Sequence, residues 1–223
     1  KAALQHSRLP AGEPPLGIVR HLVSRVGRSS GEVVSTLVAS DNVPALRAVS
    51  RAVLATARPD GWHLNLHPKP GPLLFGAHTR HLAGRERVRE DVGGVTFLVS
   101  PTAFFQTNVE AAAMLAAQVL AAVPVENARV LDLYAGLGFF ALPLARRGHA
   151  VVAVEENPLA VADGEASAQF NRIGPSQCRF VRARAEEALD RCARRGEAFD
   201  TVVLDPPREG TTGEVVDLLR ADP

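Results

Sequence analysis

The residues best suited to chemistry lie between positions 130 and 210. Val130-Leu131-Asp132-Leu133-Tyr134-Ala135-Gly136-Leu137-Gly138 sets an acid four residues ahead of a glycine pair, within and just after an apolar run. Glycines there permit a tight turn and close backbone approach to a ligand. Glu155 stands nineteen residues beyond Gly136, at the end of the next apolar run. An acid at about that distance hydrogen-bonds the hydroxyls of a ribose. The pair points to an adenosine-bearing cofactor. Gly136-Leu137-Gly138-Phe139-Phe140-Ala141 formally fits the dinucleotide pattern, which leaves NAD open. Asp132 suits a cationic amino-acid moiety better than a pyrophosphate, which favours S-adenosylmethionine. A third signal is Asp205-Pro206-Pro207-Arg208-Glu209-Gly210, directly after the run Thr201–Leu204. Its two prolines remove backbone donors and leave carbonyls free to face a ligand.

These residues must be carried by a regular scaffold, and the pattern supplies one. From position 108 onward, strands and helices alternate. Strands are expected at 129–134, 151–155, 180–184 and 201–205. Helices are expected at 108–123, 139–147, 158–171, 185–195 and 212–220. Such alternation with short connections gives a doubly wound α/β fold with a parallel sheet. Ligands of that fold bind beyond the carboxyl ends of the strands, where all three signals fall.

The first hundred residues read differently, as strands with one helix. Runs 18–26 and 33–39 flank the turn cluster Gly27–Gly31 and form a hairpin. Residues 43–57 carry helical spacing at Leu46, Val49 and Val53, with Asp41 or Asn42 as the cap. Short strands are expected at 62–66, 74–78 and 95–99. Arg85, Arg87 and Arg89 would share one face of a strand, which is either a solvated edge or an RNA-contacting surface. The domain boundary falls near residues 90–105, giving domains 1–100 and 101–223.

Charge follows the same division. Residues 1–100 hold 13 Lys and Arg against 7 Asp and Glu; residues 101–223 hold 12 against 17. A basic half suits an anionic partner, although a GC-rich genome also favours Arg codons. No apolar run reaches the ~20 residues of a membrane span. Cys178 and Cys192 give neither a disulfide framework nor zinc-ligand spacing, which fits a reducing, cytoplasmic setting and no metal. The chain starts at Lys1 and its only methionine is Met114, so it reads as a piece lacking both ends.

Three motifs in one order narrow the reading. Ser100-Pro101-Thr102-Ala103-Phe104-Phe105-Gln106-Thr107-Asn108, the Asp-Leu-Tyr-x-Gly-x-Gly turn and Asp205-Pro-Pro-Arg-x-Gly together resemble the RNA 5-methyluridine methyltransferases. Segments 78–84 and 92–97 fit the same family's central region, so the likeness runs from about Gly17 to the end. It implies a Rossmann-like class I methyltransferase domain, incomplete at its C-terminus, behind a smaller α+β domain that touches RNA. The implied cofactor is S-adenosylmethionine. Gln106 would contact it, Tyr134 would lie against it, Glu155 would bind its ribose, and Asp205 would line the cofactor and target-base site. Asp132, Gly136 and Gly138 complete the turn. Ala135 stands where many relatives carry cysteine. Ribosomal RNA is favoured over transfer RNA, and a monomer over an oligomer.

The resemblance also implies covalent catalysis. Carbon 5 of uracil is a poor nucleophile until a thiolate adds to carbon 6. Cys178 opens a strand at the end away from the crevice, and Cys192 lies mid-helix. In the resembled family the nucleophilic cysteine follows the strand after the Asp-Pro-Pro-Arg helix and the general base lies further on, so the resemblance implies that both fall beyond Pro223 and that this chain alone is inactive. A non-catalytic cofactor- and RNA-binding module and, further off, an NAD-dependent oxidoreductase are the competing readings.

Overall fold

A computed structural model describes residues 17–69, 71–123 and 126–221. The described residues divide into two units. One runs to Glu90 and includes Val99–Thr102; the other comprises Asp91–Leu98 and the chain from Ala103 onward. Among the described residues, no helix is long and apolar enough to cross a membrane.

The first unit is built on a four-stranded sheet in the order β1-β2-β3-β4. Strands β1 (Val19–Val26) and β2 (Val33–Ala39) form the antiparallel hairpin foreseen from the turn cluster. Helix α1 (Leu46–Thr56) crosses to β3 (Gly61–Leu66), which pairs parallel with β2. Leu46, Val49 and Val53 lie on one helix face and pack on Leu37, Trp62 and Leu64. Neither Asp41 nor Asn42 caps this helix: its N-cap is Ala45, without a side-chain bond. The reason is Pro44, whose ring disfavours helical geometry at Val43 and delays the first turn.

Strand β4 (His78–Gly84) pairs antiparallel with β3. It starts where the expected strand 74–78 was to end. Leu74 to Ala77 belong to a loop that crosses Leu66 so closely at Gly76 that a Cβ would lie 2.0 Å from the Leu66 carbonyl oxygen. The three arginines do not line one strand face either. Only Arg89 lies in β5 (Val88–Val92). Arg85 and Arg89 both turn onto the nearly buried carboxylate of Glu32, at 2.9 and 2.6 Å. Arg87 pairs with Glu86. A buried acid outcompetes solvent for two guanidiniums.

Strand β5 pairs with β6 (Val95–Val99), which leads toward helix α2 (Val109–Ala122). Asn108 caps α2 by accepting the Ala111 amide. Then follow β7 (Arg129–Leu133), α3 (Ala141–Arg146), β8 (Ala150–Glu155), α4 (Pro158–Phe170), β9 (Cys178–Arg182), α5 (Ala185–Arg195), β10 (Thr201–Leu204) and α6 (Gly213–Ala221). The sheet is wholly parallel in the order β10-β7-β8-β9. This is the doubly wound α/β arrangement expected from the alternation.

The two sheet faces are covered differently. Leu131, Leu133 and Val154 meet Ala185, Ala188, Leu189 and Val215 of α5 and α6. On the opposite face Phe180 fills the space between Gly138 and Gly164 of α4, whose Cβ positions would come within 2.7 and 2.4 Å of its ring tip. Strand β10 is an edge with Val202 and Leu204 exposed, at 37% and 42%.

Candidate functional site

Sheet order alone locates the crevice. After β7 the chain winds outward through β8 and β9, then returns to place β10 on the other side of β7. The reversal between β7 and β10 opens a cleft at the carboxyl ends of the strands.

The turn after β7 is held in left-handed backbone. Tyr134 has φ +61°, Gly136 +57° and Gly138 +85°. For tyrosine that geometry costs about 1–2 kcal/mol. The two glycines serve different ends. A Cβ on Gly136 would meet nothing within 4 Å, so its backbone faces open space. Gly138 is closed over by Phe180 and Leu142, so it permits packing rather than ligand approach. The sequence pattern treated the two alike. The Tyr134 ring packs toward the cluster formed with α5.

Glu155 closes the turn from the neighbouring strand. Its carboxylate accepts the Gly136 amide at 2.9 Å and the Asn157 amide at 2.8 Å. The first bond fixes the end of β8 to the turn after β7. Asp205 follows β10 and stays exposed.

Asp132 lies deeper than its motif suggests. It is fully buried, in a cross-strand row with Val203, Ala153 and Phe180. Neither carboxyl oxygen completes a well-formed hydrogen bond among the described residues, although the Ala141 backbone amide lies near enough to act on it. Burial pushes its pKa up to about 8; the Ala141 backbone amide opposes this, and the charges of Asp205 and Glu155 add to it. A dry, unbonded carboxyl is costly unless a counter-charge approaches.

Gln106 follows Phe105, whose ring contacts lead to the turn after β7. Phe105 packs on Phe97 at 5.5 Å and on Phe139 at 6.0 Å between ring centroids, and Phe139 directly follows Gly138. The sequence reading gave no role to Phe105 or Phe139. Nor did it single out Phe104, which is 80% exposed beside Gln106. Gly164, the partner of Gly138 around Phe180, was also missed. A glycine inside a helical run was the available signal.

The cysteines sit as expected. Cys178 is the first residue of β9, buried, with its thiol pushed up to about 12 by burial and by Asp132. Cys192 lies within α5.

A family model described as conserved hypothetical protein 95 matches residues 110–222, half of the chain. The chain belongs to that family. The match covers all four strands of the parallel sheet. The chain is also 34% identical over 210 residues to a 23S rRNA (uracil(747)-C(5))-methyltransferase of Pyrococcus horikoshii, covering 94% of itself and 47% of that protein. It is 33% identical over 211 residues to an uncharacterised RNA methyltransferase of Parasynechococcus marenigrum, covering 92% and 44%. The crystal structure of Pyrococcus abyssi tRNA (uracil-54, C5)-methyltransferase in complex with S-adenosyl-L-homocysteine superposes with a TM-score of 0.83 at 25% identity, over 99% of this chain and 52% of that one. The Rossmann-like class I methyltransferase fold and the resemblance to RNA 5-methyluridine methyltransferases are borne out. The chain spans about half the length of the curated relatives it matches.

Proposed function

We propose that the protein transfers a methyl group from S-adenosylmethionine to carbon 5 of a uridine in RNA, and that this chain supplies the cofactor-binding part. The observation that carries the reading is the convergence of three carboxyl groups, Asp132, Glu155 and Asp205, on the carboxyl ends of β7, β8 and β10. An acidic crevice attracts a ligand with sulfonium and ammonium charges. Asp132, buried without a counter-charge, suits the ammonium end of such a ligand better than the pyrophosphate of NAD.

The residues fit that cofactor. Asp132 lacks only a counter-charge, and an ammonium group brought to the turn would ionise it. Glu155, already oriented by two amides, keeps acceptor capacity for ribose hydroxyls. Gly136 leaves its backbone open to a ligand, and Gln106 and Tyr134 border the turn. S-adenosylmethionine supplies an electrophilic methyl group when bound. Phe104 offers an aromatic face to an unstacked base, and Asp205 stands where cofactor and base would meet. Neither cysteine is placed to attack uracil, so the thiolate would come from elsewhere in the protein. The first unit would hold the RNA, with ribosomal RNA favoured over transfer RNA. A cytoplasmic monomer belongs to the same reading.

The test uses the full-length protein and RNA labelled with tritium at carbon 5 of uridine. Methylation there displaces the label into water. Tritium release that depends on S-adenosylmethionine is the expected result. Methyl incorporation without release would move the acceptor to another atom.

A further inference from the structure

The loop between β3 and β4, described at residues 67–69 and 71–77, is gripped at both feet by side chains. At the near foot, Arg20 donates to His67 Nδ1 at 2.6 Å, to the Lys69 carbonyl at 2.7 Å and to the Pro68 carbonyl at 3.2 Å. At the far foot, the buried Asn65 amide donates to the Gly76 carbonyl at 2.9 Å and accepts its N–H at 2.7 Å. Pro68 and Pro72 further restrict the backbone. Between these anchors Leu73 and Leu74 stand in solvent, 70% and 44% exposed. A slack loop could fold two adjacent leucines away from water. This one presents them.

The loop and β4 carry no acid of their own, and Glu86 meets β4 at His81, 3.9 Å away. Residues 61–85 contain no Asp or Glu. Lys69 and Arg80 are exposed, and among the described residues neither makes an ion pair. His78 and Arg80 alternate onto the same side of β4, the open edge of its sheet.

We propose that this loop and the β4 edge form an RNA-contacting surface for unpaired nucleotides. Leu73 and Leu74 would rest against exposed base faces while Lys69 and Arg80 neutralise flanking phosphates. Apolar tips have no use on an A-form helix, whose base faces are stacked away, but fit splayed single-stranded bases. The acid-free stretch favours a polyanion over a protein partner. The inference rests on the RNA reading above and adds the place of contact.

Fluorescence anisotropy of the full chain against a labelled RNA hairpin with a uridine-containing loop, beside a blunt RNA duplex, tests it. Replacing Lys69 and Arg80 together by alanine is expected to weaken hairpin binding about tenfold. It would also make the log–log salt dependence shallower by about 1.4, at ~0.7 per phosphate lost. Leu73→Ser with Leu74→Ser is expected to weaken hairpin binding about fivefold and leave duplex binding unchanged. All four side chains are exposed, and thermal melts check that the variants stay folded. A chain that binds the hairpin, with both double variants binding it equally well, overturns the loop assignment and leaves the RNA reading intact. A chain that binds neither RNA overturns both.

Discussion

Glu155 at the end of β8 accepts the backbone amide of Gly136, 2.9 Å away in the turn that follows β7. One carboxylate thus fixes the turn, and under the proposed reading it would also bind the ribose. The bond joins two strand ends before any ligand arrives, so the site is preorganised.

Replacing Glu155 by alanine leaves the Gly136 and Asn157 amides without their acceptor. The cost to stability is about 1–2 kcal/mol, read by denaturant unfolding. S-adenosylhomocysteine affinity should fall more than tenfold by calorimetry. Glu155→Gln keeps one of the two acceptor oxygens and should recover about half of the stability but less of the affinity. Equal recovery of both would assign Glu155 to the turn alone.

The two turn glycines should separate packing from ligand approach. Gly138→Ala drives a Cβ to 2.7 Å from the Phe180 ring in left-handed backbone, at a cost of about 2–4 kcal/mol. Gly136→Ala meets no neighbour and should cost only about 1 kcal/mol, for the backbone alone. Its methyl enters the open space, so it should lose cofactor affinity out of proportion to stability. Thermal melts and ligand titrations on both variants check the contrast.

Asp132 should make both stability and binding depend on pH. Its folded pKa, about 8, lies above the ordinary 3.8. Its favourable contribution is therefore complete below pH ~3.8 and is lost as pH rises through ~8. Asp132→Asn should flatten that decline. Below pH ~8 a bound ammonium must expel the Asp132 proton, so S-adenosylhomocysteine affinity should rise as pH climbs toward ~8. The rise should vanish in Asp132→Asn. Calorimetry in buffers of differing ionisation enthalpy reads the released proton directly.

Glu32 carries the opposite sign. Burial raises its pKa, but the hydrogen bonds and charge of Arg89, with Arg85 behind them, outweigh burial and hold it below the ordinary 4.5. Its contribution is present above pH ~4.5 and disappears as pH falls through the lowered value. Glu32→Gln should destabilise the chain by about 1–3 kcal/mol at neutral pH and reduce its acid sensitivity. Urea melts at pH 7 and pH 4 decide it.

The parallel sheet was legible because buried parallel strands are short, apolar and separated by helices of ordinary length. Its ends were legible because Gly-rich and Pro-rich turns punctuate them. Contacts across the sheet were not. Nothing in Leu131-Asp132-Leu133 tells how deeply the acid lies; its place opposite Ala153 and Val203, in the middle of the sheet, comes from pairing with distant strands. Gly138 looked like a ligand glycine because its real partner, Phe180, lies 42 residues away. The arginines misled for the same reason: Glu32, which collects two of them, precedes Arg85 by 53 residues. Pro44 was visible throughout, and its effect on Val43 outranked the polar residues that looked like caps.

The open edge at β10 has a practical meaning for work on this chain. Parallel strands are normally covered on both sides, and here Val202 and Leu204 meet water along a row of unpaired backbone groups. Two copies can satisfy that row by lying edge to edge. Dilute samples should then sediment as single chains, and concentrated ones should grow heavier.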